Sequence, residues 1–255
     1  MTHLHDRHLD KAGIEDDSVD LIISNCVINL SPDKPRVLRE AYRVLRAGGE
    51  LHFSDVYSDR RVPDTARKDK LLWGECVSGA LYVEDFKRIA AAAGFVDVRM
   101  VSQSPIEVPD SFRKLLGPAQ FFSITYRLFK LPGLLETLCE DYGQVLRYKV
   151  RGVDCDEWVD SAFSPPVTNS VSTQQGTIPG SEMRFMLDKD HVFEVGKPYT
   201  VCGNTAAMCG EGGMSWLQRH FEVTGNRDVH YGLFAACATP SAAQEGSAAV
   251  GGGCC

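Results

Sequence analysis

The sequence lacks any long apolar run. None of its 255 residues sits in a stretch approaching the roughly 18 apolar residues that a membrane-spanning helix needs, and the first residues hold no apolar signal core. It also lacks an excess of positive charge: 27 Lys and Arg stand against 34 Asp and Glu, a net charge of −7. Phosphate backbones are gripped by a basic face, so nucleic acid is excluded as the main partner. Membrane is excluded by the same absences, and a cytoplasmic protein is expected. No internal repeat is present, which removes solenoids and propellers. Cysteine, by contrast, is abundant. Nine of them, an odd number ending in Cys254-Cys255, lie in a chain too long to depend on disulfide staples. Thiol or soft-metal chemistry is the expectation.

The run Val19-Asp20-Leu21-Ile22-Ile23-Ser24 is nearly continuous in apolar residues and reads as a strand buried on both faces of a parallel sheet. Ser31-Pro32 then offers an N-cap and a first-turn proline, and Val37, Leu38, Ala41, Val44 and Leu45 follow the helical period. Gly48-Gly49 reads as that helix's stop, with a parallel strand over Glu50–Val56 completing a βαβ unit. A further helix is expected over Val83–Ala93, stopped by Gly94, and a third strand over Phe95–Val101. Phe121–Phe129 alternates as a strand but has no crossover helix before it, so it is laid antiparallel. An edge-exposed apolar strand invites aggregation; the 18 residues before Val19 are too few to cover it, so either a missing N-terminal half or a partner is expected there.

Residues 150–175 are polar and rich in Ser, Thr and Pro, which reads as an insert or loop. Beyond them, short strand-like stretches broken by glycine run to about Ala236, and an Ala/Gly/Ser-rich tail follows. The expected organisation is a partial α/β domain over 1–106, a small α+β domain over 107–236 and a flexible Cys-ending tail over 237–255. His3, His5 and His8 form an H-x-H-x-x-H cluster that reads as a solvated end rather than a metal site.

Ligands of open parallel sheets bind outside the carboxyl ends of the strands. Cys26 directly follows the first strand, and Cys76, in Trp73-Gly74-Glu75-Cys76, follows the second. Cys26 alone reads rather as a small packed hydrophobe, and the second thiol shifts the balance. Together, on two connections at the ligand-bearing edge, they can converge on one soft ion. Cys202 and Cys209 have a C-x6-C spacing without metal signature, and Cys139, Cys155 and Cys237 carry no functional reading.

The motifs Asn25-Cys26-Val27-Ile28-Asn29-Leu30, Leu38–Leu45, Gly48-Gly49-Glu50-Leu51-His52-Phe53-Ser54-Asp55-Val56-Tyr57, Leu72-Trp73-Gly74-Glu75-Cys76 and Tyr126-Arg127-Leu128-Phe129-Lys130 resemble the arsenite methyltransferases. The two cysteine motifs narrow the resemblance to arsenic. It implies the C-terminal half of a Rossmann-like class I methyltransferase sheet, followed by a small α+β domain. It further implies S-adenosylmethionine as methyl donor, arsenite or its glutathione conjugate as acceptor, and a thiol reductant (thioredoxin or glutathione) as partner. Cys26 and Cys76 become the arsenic ligands and catalytic residues, and Asn25 and Val27 the positions beside the donor. The glycine-rich turn that opens the family's methyltransferase domain has no match in residues 1–18, so an N-terminally truncated chain is expected. Two other readings stand: an arsenic(III)-binding protein without turnover, and a methyltransferase for a small organic acceptor.

Overall fold

The computed structural model describes residues 13–74, 76–149 and 183–235. The histidine cluster, Glu75, the 150–175 insert and Cys155, Cys237, Cys254 and Cys255 lie outside the described residues. The chain divides into two compact units, Met1–Pro132 and Gly133–Cys255.

In the first unit, β1 (Val19–Asn25) leads through a 3-10 turn at Ile28–Leu30 into α1 (Lys34–Val44), then β2 (Leu45–Ser58). Two short helices, α2 (Asp64–Arg67) and α3 (Lys70–Gly74), precede β3 (Leu81–Tyr82) and α4 (Val83–Ala93). The unit closes with β4 (Val98–Ile106), α5 (Asp110–Leu116) and β5 (Phe121–Phe129). The sheet order is β1-β2-β5-β4, with β3 paired to the far end of β2. β1 is parallel to β2, and β5 runs antiparallel to both β2 and β4 as expected, although a short helix that the sequence reading did not foresee, α5, lies between β4 and β5. The first unit therefore runs past residue 106 to Pro132, because β5 is hydrogen-bonded between two strands of this sheet.

α1 forms where expected, but its cap is two residues later: the Asp33 side chain accepts the Arg36 N–H at 3.0 Å, while Ser31 Oγ accepts the N–H of Asp33. Its stop also differs. The helix ends at Val44, and Gly48-Gly49 fall inside β2, where Gly48 has φ +81°. The pairing jumps there from Val19↔Leu45 to Leu21↔Glu50, so the glycines make a bulge that lets β2 re-enter register. Val37, Leu38, Ala41 and Val44 of α1 are buried, and the larger aliphatics among them contribute roughly 1.5–3 kcal/mol each by leaving water. Val37, Leu38 and Ala41 form a core with Phe53, Tyr57, Phe86, Phe95 and Tyr126.

β1 departs from expectation. Among the described residues it pairs with β2 alone, and Leu21 and Ile23 are 49% and 73% exposed. Only the face carrying Ile22 and Ser24 is turned to the core side. The third expected strand also sits later, over Val98–Ile106, because Phe95 is spent filling the core against Tyr42 at 5.0 Å.

The second unit contains β6 (Glu140–Asp141), β7 (Val145–Tyr148), β8 (Arg184–Asp188), β9 (His191–Glu194) and β10 (Pro198–Thr200). It continues with α6 (Gly203–Cys209), α7 (Ser215–Gln218), β11 (Phe221–Thr224) and β12 (Gly232–Leu233). These strands make three small antiparallel sheets, β10-β7-β11, β8-β9 and β12-β6. Packed aromatics, Tyr148, Phe185, Phe193 and Phe221, fill its interior.

Candidate functional site

Of the described non-glycine residues, three have positive φ: Asp17, Cys26 and Cys76. Cys26 has φ +52° and Cys76 +60°. A left-handed backbone costs a side chain bearing a Cβ roughly 1–2 kcal/mol, and such strain persists where the surroundings enforce it. Both thiols singled out from the sequence sit on such a residue.

Cys26 is the first residue past β1, where its N–H still donates to Ser54 O of β2 at 2.9 Å. The left-handed turn there breaks the strand and sends the chain into the Ile28–Leu30 turn. Cys76 follows α3, and its N–H donates to Trp73 O at 3.0 Å. Cys26 is exposed and Cys76 half-buried. Both loops leave the same edge of the sheet, since β3, which follows the Cys76 loop, pairs with Tyr57 and Ser58 at the carboxyl end of β2.

Asn29 joins the two loops. Its backbone N–H donates to Asp55 Oδ2 at 2.8 Å, and its Nδ2 donates to the carbonyl of Cys76. Gly79 packs against its backbone so closely that a Cβ there would lie 2.4 Å from Asn29 O. Asp55, on β2, is buried and also accepts the Val56 N–H at 3.2 Å. A crevice with room for about one water lies between Asn29, Lys34, Asp55 and Tyr57. Lys34 reaches over the Trp73 ring at 5.7 Å, linking the start of α1 to α3.

The electrostatics follow from this packing. Burial pushes the Asp55 carboxyl up to about 6, against the opposing pull of backbone donors and Lys34. The Cys26 thiol is also raised, by partial burial first and by the negative charge of Asp55 second. A resting thiol rather than a thiolate is thus held at the strand end. That suits a soft-ion ligand, which loses its proton on binding, better than a nucleophile poised at neutral pH.

Asn25 and Val27 flank Cys26. Asn25 is exposed and ends β1, and Val27 is half-buried at the head of the 3-10 turn. Two hydroxyls that sequence reading missed, Ser24 Oγ and Ser78 Oγ, are buried with no hydrogen-bond partner among the described residues. Each lies two residues from one of the thiols. Asn29 and Asp55 stand in the family-like motifs without a role legible there; only their long-range contacts reveal one.

Cys202 and Cys209 are both buried at the two ends of α6. Cys202 Sγ lies 3.4 Å from Thr205 Oγ1, which lies 3.4 Å from His191 Nε2, and Asp188 holds the other ring nitrogen at 2.8 Å. Among the described residues no group of three or more His, Cys, Asp or Glu side chains is arranged to hold a metal ion. No helix of these residues is long and apolar enough to cross a membrane.

Residues 5–94 match the model of a methyltransferase domain family. The chain is 47% identical over 231 residues to the arsenite methyltransferase of Aquipseudomonas alcaligenes, covering 89% of this chain and 58% of that protein. It is 46% identical over 207 residues to the arsenite methyltransferase of Homo sapiens, covering 81% of this chain and 47% of that one. The crystal structure of an arsenic(III) S-adenosylmethionine methyltransferase from Chlamydomonas reinhardtii is similar at 50% identity with a TM-score of 0.73, over 90% of this chain and 67% of that chain. The chain thus spans about half the length of the curated relatives it matches. A class I methyltransferase sheet, two strained thiols at its carboxyl edge and these likenesses agree: the chain belongs to the arsenite methyltransferase family.

Proposed function

We propose that this chain forms the acceptor side of an S-adenosylmethionine-dependent methyltransferase for trivalent arsenic, with Cys26 and Cys76 as its thiol ligands. The observation that carries this reading is the pair of left-handed cysteines on two loops joined through Asn29. Arsenic(III) is soft and prefers thiolates. Two As–S bonds form as two As–O bonds of arsenous acid break, and each thiol proton leaves with a hydroxide as water.

Asn25 and Val27 are the positions proposed beside the donor, at an open strand end where the Ser24 hydroxyl is buried without a partner among the described residues. When bound, the donor supplies an electrophilic methyl group to the arsenic lone pair. The chain's own part is to hold the acceptor thiols and fix their loops, and positioning of this kind accounts for several kcal/mol of a two-reactant barrier, on the order of 7–11. The nucleophilic lone pair carries no proton, so the reading assigns no general base. The finer proposals follow from it: arsenite or its glutathione conjugate as acceptor, thioredoxin or glutathione as the reductant keeping the thiols reduced, and a cytoplasmic location.

Calorimetric titration with S-adenosylmethionine and with arsenite tests the reading. Binding of both supports it. Arsenite alone points to an arsenic-binding protein without turnover, and donor alone to a small organic acceptor. Cys26→Ser and Cys76→Ser should each abolish the main arsenite site, and stoichiometric binding retained in both would reject the ligand assignment.

A further inference from the structure

We infer that Asn29 is a positioning residue that holds the two thiol loops together for chelation of arsenic(III). The inference rests on the ligand assignment proposed for Cys26 and Cys76. Three independent contacts converge on this one buried side chain and its backbone. The backbone N–H is anchored to Asp55 Oδ2 at 2.8 Å, the side-chain amide donates to the Cys76 carbonyl, and Gly79 is seated on its backbone oxygen. Asn29 is only 3% exposed. On the Cys26 side only Val27 and Ile28 separate the two residues, in a turn closed by the Leu30 N–H to Val27 O bond at 3.1 Å. On the Cys76 side it grips the peptide of the ligand residue itself.

Chelation depends on such a brace. A second thiol that is already held near the first binds the same ion at a high effective concentration, whereas a loop free to swing offers a weaker second bond. Asn29 has the chemistry this bracing requires, an amide donor for a carbonyl, with a backbone donor left for the buried carboxylate. Aspartate at the same position would turn an acceptor toward the Cys76 carbonyl, and alanine would leave that carbonyl without this donor. Asn29 touches neither reacting atom, so it acts through Cys76.

The test uses the full chain and compares a two-thiol reaction with a one-thiol reaction. Arsenite is titrated into wild type, Asn29→Ala, Asn29→Asp, Cys26→Ser and Cys76→Ser. In parallel, the rate of Cys26 alkylation by iodoacetamide is followed by mass spectrometry. Loss of one buried hydrogen bond is expected to weaken arsenite binding by roughly tenfold in both Asn29 variants, with Cys26 alkylation within about twofold of wild type. A general loosening of the fold would raise alkylation as well, so the split separates positioning from bulk stability. Asn29→Asp is close to isosteric and keeps the backbone donor, and it carries the test if the alanine variant does not fold. The inference is overturned if both folded Asn29 variants bind arsenite like wild type while the serine variants lose it. Unchanged binding in Cys26→Ser and Cys76→Ser would instead overturn the ligand assignment beneath it.

Discussion

At the scale of single residues, the two proposed ligands are strained and their neighbourhood is charged. Only glycine adopts the left-handed backbone of Cys26 and Cys76 without penalty. Cys26→Gly should therefore be more stable than Cys26→Ala by about 1 kcal/mol in urea unfolding, although both lose the thiol. Equal stabilities would show that the turn relaxes when the cysteine is removed.

Asp55 permits a prediction with a sign. Its carboxyl is raised to about 6 in the folded chain, whereas an unfolded aspartate titrates near 3.9. The folded state therefore holds the proton more tightly, and this group's contribution to stability grows as pH falls from about 7 to about 4. The gap between the folded and unfolded values corresponds to about 3 kcal/mol at the low end of that window. Asp55→Asn lacks the increment. The unfolding free energy of wild type minus variant should rise between about pH 7 and about pH 4, and a flat difference would remove the raised carboxyl as a feature of the fold. The same substitution takes away a negative charge that raises the Cys26 thiol, so alkylation at Cys26 should begin at lower pH in the variant.

At the scale of elements, α4 shows how a local signal and a tertiary contact reinforce each other. Its apolar face, Val83, Phe86, Ile89, Ala90 and Ala93, packs on the sheet. Gly94 ends it with φ +112°, and a Cβ there would lie 2.6 Å from the ring of Tyr42. Gly94→Ala should thus cost more than the backbone strain alone, upwards of about 2 kcal/mol, measured as a shift in the denaturation midpoint.

β2, β5 and β4 carry a different feature. Arg127 makes a two-pronged pair with Glu50 at 2.6 and 2.9 Å, and Arg99 does the same with Asp97 at 2.7 and 2.8 Å, all four buried. Arg99 and Arg127 are direct cross-strand neighbours, so the carboxylates also offset two like charges on adjacent strands. Arg127→Met would leave the Glu50 carboxylate buried without its guanidinium, at a cost of about 3–5 kcal/mol. Thermal unfolding of the variant checks this. Replacing Glu50 and Arg127 together by apolar residues should recover much of that cost, because the desolvation penalty goes with the charges.

At the scale of the whole molecule, the outer face of β1 is the unusual surface. Leu21 and Ile23 stand exposed on a strand that pairs on one side among the described residues. Apolar edges of this kind drive chains to associate. Ile23→Lys should lower concentration-dependent light scattering with little change in unfolding midpoint, and scattering equal to wild type would place the association elsewhere.

Much of this architecture is written locally. The period of Val83–Ala93, the apolar run of β1 and the alternation of β5 are short-range patterns, and each yields its element. The cysteine motifs are equally local, since a family resemblance needs only residues in order. Other features failed to show for physical reasons. Gly48-Gly49 resembles a helix stop because a bulge and a C-cap ask for the same positive φ, and only the β1 register distinguishes them. Ser31 and Asp33 are both competent caps, and the Ile28–Leu30 turn before them selects the later one. Short strands such as β7, β9 and β11 lack a period long enough to read.

Local sequence therefore carries the class of sheet, the order of its longer elements (β1, α1, β2, α4, β4 and β5) and the two thiols at its ligand-bearing edge. Only in three dimensions does it emerge that both thiols sit on left-handed residues, that Leu21 and Ile23 of β1 are exposed among the described residues, and that Asn29 ties Cys76 to the Cys26 turn across 47 residues. The reason is distance along the chain. Periodicity, caps and motifs are properties of neighbours in sequence, whereas strain, burial and a hydrogen bond between two loops exist only once the sheet has brought those loops to one edge.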